Sequence, residues 1–97
     1  MIQELILRPR AEADVQAIFE WYELQRSQLG ETFLVSLREK LEQVREHPES
    51  FPILYRNVRR AVLSKFPYLV FYITTQGRIV VLAVLHASRN PASWPRR

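Results

Sequence analysis

This chain of 97 residues contains no cysteine, one methionine, two glycines and two histidines. The absence of cysteine excludes a disulfide framework, a thiolate zinc site and a cysteine nucleophile. Two histidines could hold a metal ion only with help from carboxylates, and we predict neither a metal site nor a cofactor. With six prolines and 47% hydrophobic residues, the composition is that of a globular protein rather than of a disordered or low-complexity chain.

Long hydrophobic runs are also missing. The longest, residues 79–85, has seven residues, whereas a membrane helix needs roughly 20. The first residues show no basic stretch followed by an apolar one, so we predict no signal peptide. We therefore expect a cytoplasmic protein without a membrane partner. The length predicts a single domain spanning residues 1–97.

Acidic residues are confined to the first part of the chain, and none follows Glu49. Residues 1–55 contain six Lys or Arg and all ten Asp or Glu, which leaves a net charge of −4. Residues 56–97 contain eight Lys or Arg and no acid, which leaves a net charge of +8. Such a field raises the local concentration of polyanions or acidic protein segments. We predict a negatively charged partner for this basic half.

Two segments before the basic half have apolar residues at helical spacing. The first covers residues 11–26, and the second begins near Glu31. Their apolar stripes are Ala11, Val15, Ile18, Phe19 and Tyr22, followed by Phe33, Leu34, Leu37, Leu41 and Val44. Gly30 separates the two segments, and the second must end by His47 because Pro48 follows. The pattern predicts an antiparallel helical hairpin.

Strand patterns occur on both sides of this hairpin. Residues 4–7 are mostly apolar and precede Arg8-Pro9, which favours a strand that leads into a helix. Three further runs, separated from the hairpin by a loop at 47–52, cover residues 58–65, 68–74 and 79–85. The last two runs are continuously apolar or aromatic, which indicates central strands buried on both faces. The sequence therefore predicts an α+β fold in the order β-α-α-β-β-β, with the hairpin packed on a small, mainly antiparallel sheet.

A histidine at the end of the last strand, within the basic half, allows a ribonuclease hypothesis. Metal-free RNA cleavage needs a general base, a general acid, and cations for the charge that develops on phosphorus. The candidates are His86 as one acid–base group and Arg59, Arg60 and Lys65 as the cations. No acid follows Glu49, so the second acid–base group would have to be a tyrosine. The simpler interpretation, which we favour, is that the histidine ties the C-terminal tail to the sheet.

A set of motifs in fixed order is similar to one known family. It comprises Arg8-Pro9 with Ala11-Glu12-Ala13-Asp14, His47-Pro48, Phe51-Pro52, the runs 58–62, 66–72 and 81–86, and Arg89-Asn90-Pro91 with Trp94. No single motif is specific, but the ordered set covers nearly the entire chain. By this set the chain resembles the RelE/ParE superfamily of bacterial type II toxins, and its ParE branch most closely. The resemblance implies the same order of strand, helical hairpin and three strands.

The superfamily contains two activities. RelE-type members cleave mRNA in the ribosomal A site, whereas ParE-type members are known for poisoning DNA gyrase without cutting anything themselves. The RelE-type pattern places an arginine after the tyrosine that opens the middle strand, and a tyrosine in the tail. Here Leu69 follows Tyr68, and Trp94 stands in the tail; leucine cannot hold a phosphate, and indole is neither an acid nor a base. Some ribonuclease members use a histidine near the end of the last strand, which His86 matches.

The resemblance therefore predicts a ParE-like toxin: a growth inhibitor directed at DNA gyrase or its DNA complex and neutralised by a cognate acidic antitoxin. The predicted target-binding residues, with no catalytic role, are Arg59, Arg60, Arg89, Trp94 and Arg96. One alternative is a ribosome-dependent mRNA endonuclease built on the four ribonuclease candidates named above. Another is a non-toxic relative that only binds its antitoxin. Trp94 either folds back onto the domain or anchors a partner.

Overall fold

The computed structural model describes residues 3–88 as two helices and five strands. In chain order these are β1 (Glu4–Leu7), α1 (Pro9–Gln25), α2 (Leu29–Glu46), β2 (Ile53–Tyr55), β3 (Val58–Val62), β4 (Tyr68–Thr75) and β5 (Arg78–His86). The predicted α+β class and helical hairpin are confirmed. The short strand β2 was not predicted. Its three residues are all exposed, so they show no alternation of buried and exposed positions. Neither helix is long and apolar enough to cross a membrane.

The five strands form one sheet in the order β1-β5-β4-β3-β2. Strand β1 pairs with β5 in parallel, and the other neighbours are antiparallel. The turn between β4 and β5 has positive φ at both Gln76 (51°) and Gly77 (74°), which is the type I′ geometry that suits a tight hairpin. The register of this hairpin shifts between Phe71 and Tyr72. The sheet is therefore mainly antiparallel, as predicted.

The central strands are buried on both faces. Both helices pack on one face, here called the helix face, whose buried strand residues are Ala61, Val70, Tyr72, Ile79, Val81 and Val84. The opposite face carries a second apolar cluster: Val58, Phe71, Ile73, Val80, Leu82, Ala83 and Leu85. In the helices, the buried members of the predicted stripes are Ala11, Ile18, Tyr22, Phe33, Leu37 and Val44. The continuous apolar runs of β4 and β5 thus supply two cores.

The connection between the helices differs from the sequence prediction. Gly30 lies inside α2, and the left-handed residue of the turn is Gln28 (φ 73°). A Cβ atom at Gly30 would lie 2.8 Å from the carbonyl oxygen of Phe19, so glycine is required by the close approach of the two helices. The Glu23 carboxylate accepts hydrogen bonds from the backbone N–H groups of Gln28 (3.3 Å) and Gly30 (2.8 Å). An acid of α1 therefore caps the start of α2.

A second carboxylate joins α1 to the sheet. Asp14 Oδ2 accepts a hydrogen bond of 3.0 Å from the backbone N–H of Val84, and Asp14 also forms an ion pair with Arg10. Strand β1 ends at Leu7, whose register partner in β5 is Val81. Val84 therefore lies beyond the end of β1, and its N–H has no partner in that strand. The side chain of a helix thereby satisfies a backbone donor that would otherwise lie at an open edge.

Candidate functional site

The two adjacent arginines of β3 project from opposite faces of the sheet. Arg59 pairs in register with Tyr72, and Arg60 with Phe71. Tyr72 belongs to the helix-face cluster and Phe71 to the opposite cluster. Because side chains alternate along a strand and register partners share a face, Arg59 lies on the helix face and Arg60 on the other. The two arginines predicted to bind the target therefore extend from opposite faces of the sheet.

Arg59 is engaged within the protein. Its Nη1 donates a hydrogen bond of 2.6 Å to the carbonyl oxygen of Phe51 and a longer one of 3.4 Å to that of Glu49. The backbone N–H of Arg60 donates to the carbonyl oxygen of Pro52 at 3.1 Å. These bonds hold the loop at residues 47–52 against β3. The sequence analysis predicts that Arg59 binds the target; the structure shows its guanidinium bonded to this loop, and the target-binding role stays a prediction.

Tyr72 supports the same loop from the middle of the sheet. Its hydroxyl donates a hydrogen bond of 2.7 Å to the carbonyl oxygen of Pro48. Burial raises the pKa of Tyr72 to about 12, although the nearby Arg59 charge acts in the lowering direction. The phenol therefore stays protonated near neutral pH and keeps its donor role. A phenol that stays protonated near neutral pH is a poor general base.

His86 is exposed at the end of β5. Its ring packs edge-on against Tyr68, with 5.2 Å between ring centroids. Its Nδ1 accepts a hydrogen bond of 3.0 Å from the backbone N–H of Ser88 and lies 2.8 Å from the Ser88 hydroxyl oxygen. With Nδ1 accepting, a neutral ring carries its proton on Nε2. Burial raises the pKa of Tyr68 above its ordinary value, so this neighbour also remains a neutral phenol.

The ribonuclease candidates are not assembled into one site. Along β4, the register partner of His86 is Tyr68 and that of Arg59 is Tyr72. Four residues of strand separate these positions, or about 13 Å along β4. Lys65 is exposed in the connection between β3 and β4. Arg59, the arginine on the helix face, therefore lies far from His86 along the sheet, and its guanidinium binds the loop at residues 47–52.

Three of the predicted target-binding residues, Arg89, Trp94 and Arg96, lie outside the described residues. Within residues 3–88, no group of three or more histidine, aspartate or glutamate side chains could hold a metal ion.

Sequence reasoning missed an apolar surface beside the cations. The β2–β3 hairpin exposes Ile53, Leu54, Tyr55 and Val62, and the Arg56 guanidinium lies 5.3 Å from the centre of the Tyr55 ring. The β2 edge is our name for the strand Ile53–Tyr55 and for its side that pairs with no other strand among residues 3–88. The available signal was three consecutive apolar residues directly after Pro52, which the sequence analysis passed over on the way from the loop to the next strand.

The described residues form a small α+β domain in which a helical hairpin packs on a five-stranded sheet. The family model for the ParE toxin of the type II toxin-antitoxin system, parDE, matches residues 5–91. The chain belongs to this family. No curated protein sequence matches it significantly.

Several solved structures share the fold, among them the following two. A chain from the chromosomal ParDE TA system of P. aeruginosa has a TM-score of 0.68 and 20% identity, and the alignment covers 90% of this chain and 98% of that one. The isolated E. coli RelE toxin has a TM-score of 0.66 and 21% identity, with 94% and 90% covered. Both branches of the superfamily therefore share this architecture, and the fold alone does not distinguish their targets.

Proposed function

We propose that this protein is a growth-inhibiting toxin of a type II toxin-antitoxin pair. In this proposal it acts in the cytoplasm by binding DNA gyrase or its DNA complex. A cognate acidic antitoxin neutralises it. Membership of the ParE toxin family supports the toxin class. The excess of eight basic residues over none after residue 55 supports an anionic partner, because a field of one sign steers and retains the opposite charge.

One observation favours binding over cleavage. The Arg59 guanidinium donates to the carbonyl oxygens of the loop at 2.6 and 3.4 Å, while His86 lies at the other end of the helix face. Cleavage of RNA without a metal needs cations and acid–base groups around one phosphate. A binding surface makes no such demand, since charges spread over several residues contribute together.

The second candidate is a ribosome-dependent mRNA endonuclease. The packing of His86 favours it, because the imidazole contacts the Tyr68 ring edge-on and lies 2.8 Å from the Ser88 hydroxyl oxygen. Against it, Leu69 stands where the RelE-type pattern has an arginine, and the guanidinium of Arg59 binds the loop at residues 47–52.

The deciding experiment compares two targets with the same purified protein. We expect inhibition of gyrase supercoiling or accumulation of gyrase–DNA cleavage complexes, with ribosome-bound mRNA left intact. Cut mRNA with unaffected gyrase would reverse the assignment in favour of the endonuclease. Co-expression with a cognate antitoxin, sought as a small acidic reading frame beside this gene, should restore growth.

A further inference from the structure

We propose that the segment at residues 89–97 folds back onto the exposed side of α1. In this arrangement Trp94 packs against Trp21 and Leu24, and the arginines of the segment face the acids of the helix. The proposal concerns the protein on its own and goes beyond the proposed function. It assigns one occupant to a helical surface that neither apolar cluster of the sheet uses.

The first observation is a stripe of exposed residues along α1, which we call the α1 outer face: Ala13, Ala17, Glu20, Trp21 and Leu24. Their spacing of i, i+4, i+7, i+8 and i+11 places them on one side of the helix. The side chains of Trp21 and Leu24 are 53% and 84% exposed. An indole and a leucine one turn apart form an apolar patch of the kind that another segment covers.

The second observation is that the end of β5 lies close to this patch. The ring of Trp21 contacts that of Tyr22 edge-on, with 5.1 Å between ring centroids. Tyr22 contacts Tyr68 at 6.3 Å, and Tyr68 contacts His86 at 5.2 Å. Trp94 follows His86 by eight residues, and eight residues of chain span at most about 28 Å. The tail tryptophan can therefore reach the α1 outer face.

The third observation is the orientation of the helix. Asp14 precedes Trp21 by seven residues, so the two lie on the same side of α1. The Asp14 carboxylate accepts the hydrogen bond of 3.0 Å from the Val84 backbone N–H, which fixes this side of the helix beside the last part of β5. The side of α1 that carries Trp21 therefore faces the region from which the segment departs.

Charge selects the occupant. Helix α1 contains four acids and one base, a net charge of −3, whereas residues 89–97 contain three arginines and no acid. Attraction between them favours docking. A nucleic acid, an acidic antitoxin or the same helix of a second copy would each bring negative charge against these acids. The segment is also tethered to the domain, which gives it an effective concentration on the order of millimolar.

The composition of the segment suits a docked conformation. Its one large apolar residue is Trp94, and Pro91 and Pro95 lie on either side of it. Proline fixes its own φ angle, so less conformational entropy is lost when the segment becomes ordered. An indole supplies much contact area from a single side chain. The apolar contact therefore centres on Trp94, and the arginines at both ends add attraction.

The direct test is a nuclear Overhauser spectrum of the purified protein with all 97 residues. Cross-peaks should join the indole protons of Trp94 to the methyl groups of Leu24. The chain contains two tryptophans, so both indole N–H signals can be assigned by substituting one of them. Cross-peaks from Trp94 to the opposite face of the sheet instead would overturn the proposal.

Limited trypsin digestion, followed by mass spectrometry, measures the rate of cleavage after Arg89. Leu24→Gln should speed this cleavage about fivefold or more, because proteolysis follows the population of the undocked segment. Val35→Gln makes a similar change at an exposed apolar residue of α2 and should leave the rate unchanged. Glu20→Gln should speed cleavage about twofold to fivefold, whereas Glu39→Gln on α2 should leave it unchanged. Thermal melts check that the variants fold.

Two further outcomes would overturn the proposal. One is a spectrum without these cross-peaks together with equal cleavage rates in the wild type and all variants. The other is protection that appears only as the protein concentration rises, which would assign the α1 outer face to the segment of a second copy. Neither measurement involves gyrase or mRNA, so the proposed function and this contact can fail independently.

Discussion

The guanidinium Nη1 of Arg59 donates a hydrogen bond of 2.6 Å to the carbonyl oxygen of Phe51. The bond crosses from the second residue of β3 to the loop that precedes β2, and it joins an arginine of the basic half to a residue eight positions earlier. An arginine in a cationic segment suggests a ligand, yet here the acceptors are backbone carbonyls of the same chain. Substitution of Arg59 would therefore affect the stability of the loop in addition to any contact with a target.

Arg59 and Arg60 offer a matched pair of substitutions. Arg59→Gln removes the charged donor to two loop carbonyls and should lower the free energy of unfolding by about 1–3 kcal/mol. Arg60→Gln removes the same charge from the other face, where the side chain makes no described hydrogen bond to the loop, and should have a clearly smaller effect. Chemical denaturation measures both. Equal losses in the two variants would show that Arg59 is not the main anchor of the loop.

The core between the helices and the sheet can be tested with two leucines. Leu37 is 5% exposed and Leu24 is 84% exposed. Leu37→Ala should therefore cost about 2–5 kcal/mol of unfolding free energy, as for other buried large-to-small changes, whereas Leu24→Ala should cost only a few tenths. Phe19→Ala should fall below the Leu37 value, because Phe19 is only half-buried. A thermal melt in which both leucine variants behave alike would contradict this packing.

Tyr72 predicts how stability depends on alkaline pH. Burial raises its pKa from the ordinary value of 10 to about 12, so the folded protein holds the phenolic proton more tightly than the unfolded chain does. This contribution to stability is fully present below pH 10 and is lost as the pH rises from 10 towards 12. Burial raises the pKa of Tyr22 and Tyr68 in the same direction.

Tyr72→Phe tests this contribution. At neutral pH the variant should lose about 0.5–1.5 kcal/mol, since it lacks the hydrogen bond to Pro48. Above pH 10 its unfolding free energy should fall less steeply than that of the wild type, with part of the slope retained through the other two tyrosines. Urea denaturation over this pH range measures the difference. Parallel curves for the two proteins would place the alkaline loss elsewhere.

His86→Gln separates the two proposed activities. Glutamine keeps a polar side chain beside Tyr68 and Ser88 but does not titrate near neutral pH. If the toxin acts by binding, the variant should still inhibit growth when expressed without an antitoxin. If the histidine is a general acid or base, the rate should fall roughly 10²–10⁴-fold. A thermal melt must first show that the variant folds; a folded variant without toxicity, beside mRNA cleavage by the wild type, would favour the endonuclease.

Local patterns were sufficient for most of the architecture. The apolar stripes around Ile18 and Leu37, the proline after His47, and the Gln76-Gly77 turn each specify an element through short-range sterics and burial. The continuous runs ending at Thr75 and His86 identified the two central strands, because only strands covered on both faces are apolar without alternation. The ordered motifs also led to the correct family.

Long-range relationships were decided by the tertiary structure. Nothing near Gly30 in the sequence says that Phe19 of the other helix leaves no room for a Cβ atom. The alternation of β3 predicts that Arg59 and Arg60 face opposite ways, but only the register with Tyr72 and the path of the loop show which arginine is bound internally. The exposure of the β2 edge is also a long-range property. Which strand lies at the edge depends on the strand order, and the strand order depends on pairing between distant segments. The sequence by itself determined the elements and the charge of each half, whereas the packing of the sheet determined which charged and apolar groups remain available to a partner.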